Sequence, residues 1–197
     1  MGEVERGLTK TPVSKVRLRE FDPHLGLDRG SSPLKEAIWY IFKWAIFLSA
    51  VPYPSSLKSS LLRLFGGKIG QRVVIKPRVN IHLPWKLEIG DDAWIGEEVF
   101  ILNFETVTIG SNVIVSQRAF LCCGNHDYRV PSMPYRNAPI ILEDGAWVGA
   151  CSFVGPGVTV GIDTVVTAGS VVGSSLPPNG VYSGDPLSFK SRRWEAD

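Results

Sequence analysis

The sequence predicts an all-β domain, a parallel β-helix of triangular cross-section, and three features of the chain predict it. An aliphatic residue recurs at every sixth position from Ile69 to Val172, with few interruptions. The units fall into groups of three, so that about five turns fit into the repeat. Glycine or another small or polar residue often follows the aliphatic one. The unit starts are Ile69, Ile75, Ile81, Ile89, Ile95, Ile101, Ile109, Val115, Leu121, Leu142, Val148, Val154, Val160, Val166 and Val172.

The breaks in this period all fall on one edge of the predicted prism. Ile81 to Ile89 takes eight residues instead of six, and Ile101 to Ile109 also takes eight. Leu121 to Leu142 takes 21, so residues 125–140 form a loop outside the coils. Because each break follows the third unit of a turn, the three insertions share an edge. Insertions on one face of a repeat protein usually mark its binding face.

The chain divides into three parts. Residues 1–66 contain an arm and helices, residues 67–182 form the hexapeptide-repeat domain, and residues 183–197 form a C-terminal tail. Residues 1–32 are polar and show no period, so we expect them to be ordered only where they pack against something else.

Residues 34–53 predict a helix that is apolar on every face, which favours burial or contact with lipid. The stretch is too short to span a bilayer comfortably. Two interpretations remain: packing on the prism or a neighbouring subunit, and contact with the inner face of the membrane. A second helix follows, with Ser55 or Ser56 as its predicted cap and Gly66-Gly67 at its end.

Composition limits the partners and the compartment. The formal net charge is +2 and no basic stripe runs through the repeat, so nucleic acid is not an expected partner. The three cysteines, Cys122, Cys123 and Cys151, do not make a disulfide framework, which fits a reducing compartment. The first 20 residues have no apolar core of a signal peptide, and we predict a cytoplasmic protein.

His126 opens the long loop and is the candidate general base. It leaves a rigid strand at the extruded corner, with Asp127 and Tyr128 adjoining it and Asn103 one turn below. A histidine with an ordinary pKa can take a proton from a hydroxyl near neutral pH, an effect worth about 10²–10⁴ in rate.

The same residues resemble a known family, the left-handed β-helix acyltransferases. The resemblance covers about residues 34–190 and is strongest to the colanic-acid-type sugar O-acetyltransferases of exopolysaccharide biosynthesis. These are relatives of the galactoside, maltose and nodulation-factor acetyltransferases. The motifs that carry it are 122–128 (CCGNHDY), 138–140 (API), 143–150 (EDGAWVGA), 154–158 (VGPGV), 168–171 (AGSV) and 184–186 (GDP).

The resemblance implies a left-handed coil and a homotrimer with active sites between adjacent prisms. It implies acetyl-CoA as co-substrate, no required metal, and direct transfer of the acetyl group to a sugar hydroxyl. His126 would be the general base. The expected acceptor-binding residues are Asn103, Asp127, Tyr128 and Trp147, and the expected residues beside the coenzyme are Trp147, Ala150, Ala168, Gly169, Ser188 and Lys190.

Several of these residues also have purely structural interpretations. Trp147 could pack under the loop, Ala168 and Gly169 could serve corner geometry, and Asn103 could satisfy a rung. The backbone N–H near Ala150 matches the position that holds the oxyanion. Relatives usually carry Lys or Arg where this chain has Ser188, with Lys190, Arg192 and Arg193 following. The sequence therefore leaves open which of these residues contacts the coenzyme phosphates.

Three other functions stay open from the sequence. One is N-acetylation of an amino sugar or another small acceptor. Another is a metal enzyme like a γ-class carbonic anhydrase, which needs three histidines at one site and fits His24, His82 and His126 poorly. The last is a non-catalytic trimeric scaffold.

Overall fold

The computed structural model describes residues 15–185 and 188–192, with the backbone alone for 191 and 192. The repeat forms a parallel β-helix with three sheets, one for each side of a triangular prism. Predictions about residues 1–14, Pro186 and Arg193 lie outside the described residues.

Each sheet collects one strand from every coil. Sheet A contains β1 (Lys68–Ile69), β4 (Leu87–Ile89), β7 (Val107–Ile109), β10 (Ile140–Leu142) and β13 (Thr159–Val160). Sheet B contains β2 (Val74–Ile75), β5 (Trp94–Ile95), β8 (Ile114–Val115), β11 (Trp147–Val148), β14 (Val165–Val166), β16 (Gly180–Ser183) and β17 (Ser188–Arg192). Sheet C contains β3 (Asn80–Ile81), β6 (Phe100–Leu102), β9 (Phe120–Cys122), β12 (Phe153–Val154) and β15 (Val171–Val172).

Backbone hydrogen bonds join each coil to the next one. The N–H of Gly70 donates to the carbonyl of Ile89 at 2.7 Å, and the N–H of Gly90 donates to the carbonyl of Ile109 at 2.7 Å. All fifteen aliphatic unit starts are buried and stack in the core, as the period predicts. Since successive side chains of a strand point to opposite faces, the intervening residues face outward.

The three predicted insertions lie at one corner, where sheet C hands the chain to sheet A. The first contains a 3₁₀ turn at Pro84–Lys86, the second contains Asn103 and Phe104, and the third is the long loop. The expectation of a single edge is therefore confirmed.

The corner between sheets B and C turns through a left-handed backbone position. Arg78, Glu98, Arg118 and Cys151 have φ near 60° there, and Gly169 has φ 71° in the coil above Cys151. Four non-glycine residues adopt this conformation, which costs them energy. Gly169 therefore relieves strain, and corner geometry is sufficient to account for it.

A sixth, incomplete coil continues the prism beyond the predicted end of the repeat. Leu176 bridges to Val160, and β16 pairs in parallel with β14. Leu176 follows Val172 at a spacing of four residues instead of six. The six-residue period therefore loses its phase at this point, and for that reason the sequence shows five coils. Strand β17 then folds back antiparallel on β16, within the predicted C-terminal tail.

Two helices cover the lower end of the prism. Helix α1 is Pro33–Phe42, it continues as a π turn at Lys43–Phe47, and α2 is Ser55–Leu64. A short 3₁₀ turn at Leu18–Glu20 precedes them. Trp39, Phe47 and Leu62 are buried against the first coils. The predicted docking on the prism is therefore correct for one face of the first helix.

The predicted serine cap of α2 is wrong. Pro54 occupies the cap position and no side chain caps the helix. The hydroxyl of Ser55 instead accepts a hydrogen bond from the backbone N–H of Ile75 at 3.0 Å. The first coil has no coil beneath it, so its downward polar groups need partners from the helices, and Ser55 is one of them.

Side-chain donors from the helices satisfy the downward carbonyls of all three strands of the first coil. Arg63 Nε donates to the Ile69 carbonyl at 2.9 Å. Trp39 Nε1 donates to the Ile81 carbonyl at 3.2 Å. Lys58 Nζ donates to the carbonyls of Ile75 at 3.2 Å and Lys76 at 2.8 Å. Burial lowers the pKa of the Lys58 ammonium. Among the described residues, no helix has the length and apolar character needed to cross a membrane.

Replacing Lys58 with methionine is expected to destabilise the protein by about 1–3 kcal/mol, because the carbonyls of Ile75 and Lys76 lose this donor. The free energy of unfolding in urea measures the effect. Lys68→Met is the matched control, since Lys68 makes only an exposed ion pair with Glu88, a pair worth about 0–1 kcal/mol. Equal stability of the two variants would contradict the capping role of Lys58.

Candidate active site

The long loop folds as a short hairpin on the corner between sheets C and A. His126 and Tyr135 form an antiparallel bridge across it. The N–H of Arg136 donates to the Asn125 carbonyl at 2.8 Å, and the N–H of Ala138 donates to the Cys123 carbonyl at 3.1 Å. These bonds continue from the last strand of the third coil, so the loop holds His126 at a fixed place on the corner.

The imidazole of His126 has a defined partner. Its Nδ1 lies 2.6 Å from the carbonyl oxygen of Met133. A carbonyl can only accept, so Nδ1 carries the proton and the neutral ring leaves Nε2 as an acceptor. Met133 has φ 52°, a left-handed conformation that is rare for its residue type.

A cavity of about 440 Å³ opens beside His126. Among the residues that line it are Leu102, Phe104, His126, Tyr128, Met133 and Tyr135. Within the described part of the chain, no carboxylate, ammonium or guanidinium group belongs to its lining. The cavity is therefore largely apolar and aromatic, with the imidazole of His126 in its wall.

A column of aromatic rings rises along the same corner, through all three insertions. The ring centroids of His82 and Phe104 lie 5.1 Å apart, those of Phe104 and Tyr135 5.9 Å, and those of Tyr135 and His126 5.0 Å. Burial, with the nearby charges of Lys43 and Arg29, lowers the pKa of His82 to about 4. His82 is thus neutral near neutral pH and packs as an aromatic ring below the cavity.

Asp127, Tyr128 and Asn103 occupy three different environments. Tyr128 is exposed at the cavity rim. The Asp127 carboxylate binds the Arg129 guanidinium at 3.0 Å, and that bond lowers the pKa of Asp127. Asn103 is fully buried, and its amide binds the backbone N–H of Leu83 at 2.9 Å and the carbonyl of Lys86 at 3.1 Å. These contacts support the interpretation of Asn103 as a residue that satisfies the rung below.

The expected coenzyme residues lie at a different corner. Trp147 stands on the outer face of β11 in sheet B, and its Nε1 donates to Ser116 Oγ at 2.9 Å. Ala150 follows at the corner between sheets B and C, and the N–H of Gly169 donates to its carbonyl at 2.8 Å. Ala168 lies beside Gly169 on the coil above. Sheet C separates this corner from the one that carries His126, so one chain does not bring the two groups together.

Ser188 and Lys190 lie on β17, which extends sheet B at the upper end of the prism. Both are exposed. They therefore stand in the same sheet as Trp147, three strands further up. The side chain of Arg192 lies outside the part of the chain that the structure describes.

The adjacent cysteines at the root of the loop are packing residues. Burial raises the pKa of the Cys123 thiol to about 12 and raises that of Cys122. Neither thiol forms a thiolate near neutral pH, and no thiol of this pair is activated as a nucleophile. In the described ranges no group of three or more His, Cys, Asp or Glu side chains is arranged to hold a metal ion.

Sequence reasoning missed four contacts of the site: Phe21, Phe104, Met133 and Tyr135. Phe104 stands in the second insertion, so the shared edge could have pointed to it. Met133 acts through its backbone carbonyl, for which residue type gives no signal. Phe21 reaches the site from more than 100 positions away in the chain.

A hexapeptide-repeat β-helix with a histidine-bearing loop at one corner defines a class of acyltransferases, and comparison with known proteins agrees. The chain is 39% identical over 169 residues to WcaF of Escherichia coli (strain K12), named as a colanic acid biosynthesis acetyltransferase; the match covers 86% of this chain and 93% of that protein. No protein-family model matches the chain.

Two solved structures have the same fold. One is a hexapeptide-repeat acetyltransferase from Vibrio cholerae complexed with acetyl-CoA, with TM-score 0.75 and 25% identity, over 84% of this chain and 92% of that one. The other is a galactoside acetyltransferase in complex with CoA, with TM-score 0.73 and 25% identity, over 82% of both chains.

The chain belongs to the hexapeptide-repeat acetyltransferases. The predicted family and the predicted acyltransferase class are confirmed, as is the left-handed parallel β-helix. The complexes of the relatives also agree with acetyl-CoA as the predicted co-substrate.

Proposed function

We propose that this protein transfers the acetyl group of acetyl-CoA to a sugar hydroxyl in the biosynthesis of an exopolysaccharide. The observation that carries the proposal is the fixed imidazole of His126 beside an apolar, aromatic cavity. The similarity to a colanic acid biosynthesis acetyltransferase supports the acceptor class. Aromatic side chains suit the apolar faces of a sugar ring, and uncharged walls suit a neutral sugar.

His126 acts as the general base. Because Nδ1–H donates to the Met133 carbonyl, Nε2 can accept the proton of the acceptor hydroxyl as its oxygen attacks the thioester carbonyl carbon. The protonated imidazole keeps its bond to Met133. It then returns the proton to the departing thiolate of CoA, so that His126 ends the cycle neutral.

The backbone N–H of Ala150 stabilises the negative charge on the carbonyl oxygen during attack, a contact worth about 3 kcal/mol in such sites. Ala168 and Gly169 leave room for the pantetheine arm, since neither carries a side chain beyond Cβ. Trp147 lines the same corner with an exposed indole. Ser188 and Lys190, on the last strand of sheet B, lie towards the nucleotide end.

A homotrimer completes the site. His126 and Ala150 stand on different corners of one prism, and sheet C lies between them. Three prisms packed side by side bring the loop corner of one chain to the coenzyme corner of its neighbour. The proposed transfer therefore requires two chains for each active site, with Asp127 and Tyr128 at the mouth.

His126→Ala is expected to lower kcat at least about a hundredfold, because the hydroxyl loses its general base. Binding of acetyl-CoA, measured by calorimetry, should be retained, since Ala150, Ala168 and Gly169 stand on another corner. Acetyl-CoA consumption across neutral glycans, with mass spectrometry of the product, measures turnover. His24→Ala is the control, because His24 is exposed and lies outside the cavity. Near-normal turnover of His126→Ala would overturn the base assignment.

The outer face of the first helix supports a second proposal, peripheral contact of residues 34–53 with the inner face of the membrane. Leu34, Ile41 and Trp44 are 70%, 66% and 75% exposed and recur at helical spacing. Lys43 and Phe47 face inward instead, and Phe47 is part of the hydrophobic core. An apolar helical face of this kind binds at the lipid interface.

Ile41→Ser combined with Trp44→Ser is expected to reduce co-sedimentation with anionic lipid vesicles, because both substitutions remove a large apolar side chain from the contact face. Ile162→Ser is the control, since Ile162 is an exposed aliphatic residue far from the helices. No binding of the parent protein to vesicles would end this proposal.

A further inference from the structure

We propose that Phe21, in the segment of residues 16–30 that crosses the active-site corner, positions the imidazole of His126. The inference rests on the proposed role of His126 and adds a residue from outside the loop whose ring contacts the base. Phe21 is a positioning residue, because it acts through His126.

The segment is attached at both of its ends to insertions of the active-site corner. The N–H of Arg17 donates to the carbonyl of Pro131, in the long loop, at 2.7 Å. Trp85, in the first insertion, donates from Nε1 to the carbonyl of Arg29 at 2.6 Å. Lys86 also donates to the carbonyl of Asp28. The segment therefore spans the corner from the first insertion to the third.

A close backbone approach places the segment directly on the loop. Gly26 has φ 81°, and a Cβ there would lie 3.2 Å from the carbonyl oxygen of Tyr135. Glycine suits both the left-handed conformation and the short distance. The approach fixes the distance between the segment and the hairpin that carries His126.

Phe21 occupies the space between these attachments and contacts both rings of the hairpin bridge. Its centroid lies 5.5 Å from that of His126 and 5.1 Å from that of Tyr135, with the edge of one ring toward the face of the other in the second pair. The imidazole thus contacts the rings of Tyr135 and Phe21, which also contact each other, and its Nδ1 binds the Met133 carbonyl.

These three contacts restrict the imidazole to one orientation. The hydrogen bond to Met133 fixes Nδ1 but leaves the ring free to tilt about that bond. Aromatic contacts of this geometry favour one arrangement by a factor of up to about ten. Loss of Phe21 is therefore expected to lower kcat about tenfold, because Nε2 spends less time in line with the acceptor hydroxyl, and to leave the KM for acetyl-CoA unchanged.

The test compares Phe21→Ala with Phe21→Tyr and Leu18→Ala in the full chain. Leu18 is 65% exposed and begins the 3₁₀ turn that Phe21 caps, so its truncation controls for damage to the segment itself. Expected results are a drop of about tenfold in kcat for Phe21→Ala, recovery in Phe21→Tyr, and no change in Leu18→Ala. A drop shared by Leu18→Ala, or full activity of Phe21→Ala, would overturn the inference.

Two further measurements separate positioning from a general structural effect. Phe21→Ala should add no further loss in a His126→Ala background, because a residue that acts through the base has nothing left to position. In NMR spectra, Phe21→Ala should shift the ring-proton signals of His126 and leave those of His24 unmoved. A tenfold loss that persists without His126 would assign Phe21 another role.

The two proposals fail in different ways. High activity of His126→Ala would exclude His126 as the general base, whatever the effect of Phe21→Ala. An inactive His126→Ala together with a fully active Phe21→Ala would keep the base and exclude the positioning role.

Discussion

The structure depends on one constraint: every backbone N–H and carbonyl of a coil that points along the prism axis must find a partner. Inside the prism the next coil supplies it, as between Gly70 and Ile89. At the lower end the helices lie against the first coil, and Lys58, Arg63 and Trp39 supply the donors. The first coil thus needs the helices to satisfy its backbone. The buried ammonium of Lys58 in turn finds the hydrogen-bonding partners that a buried charge needs in the carbonyls of this coil.

The same ladder explains why the three insertions lie at one corner. Residues inserted inside a strand would break the register of every coil above, whereas residues inserted between sheets C and A leave the ladders intact. Three insertions at this corner stack their rings, from His82 through Phe104 and Tyr135 to His126. The rigid coils hold the ends of the loop, and the Met133 carbonyl and Phe21 hold the ring of its histidine.

The regular part of this architecture follows from the sequence because the coils are local: Ile95 stacks between Ile75 and Val115, each one coil away in the same sheet. The phase of the repeat also located the insertions and therefore His126. Long-range contacts carry no such period. The sequence around Phe21 gives no sign of its contact with His126. The sixth coil was not predicted because the spacing before Leu176 is two residues shorter than the repeat. Asn103 shows that residue type can also mislead. It is polar and lies near the edge of the site, yet its amide oxygen accepts a hydrogen bond from the backbone N–H of Leu83.

The central proposal is that the coils hold His126 and the proposed coenzyme contacts at different corners, so that two chains build each site. Mixed assemblies of His126→Ala and Ala168→Trp chains test it most directly, since the first lacks the base and the second blocks the coenzyme corner. Each variant alone should be inactive. A mixed trimer should regain one complete site, where an intact His126 of one chain meets an intact coenzyme corner of its neighbour, and measurable acetyl transfer should return. Mixed assemblies as inactive as the separate variants would contradict the account.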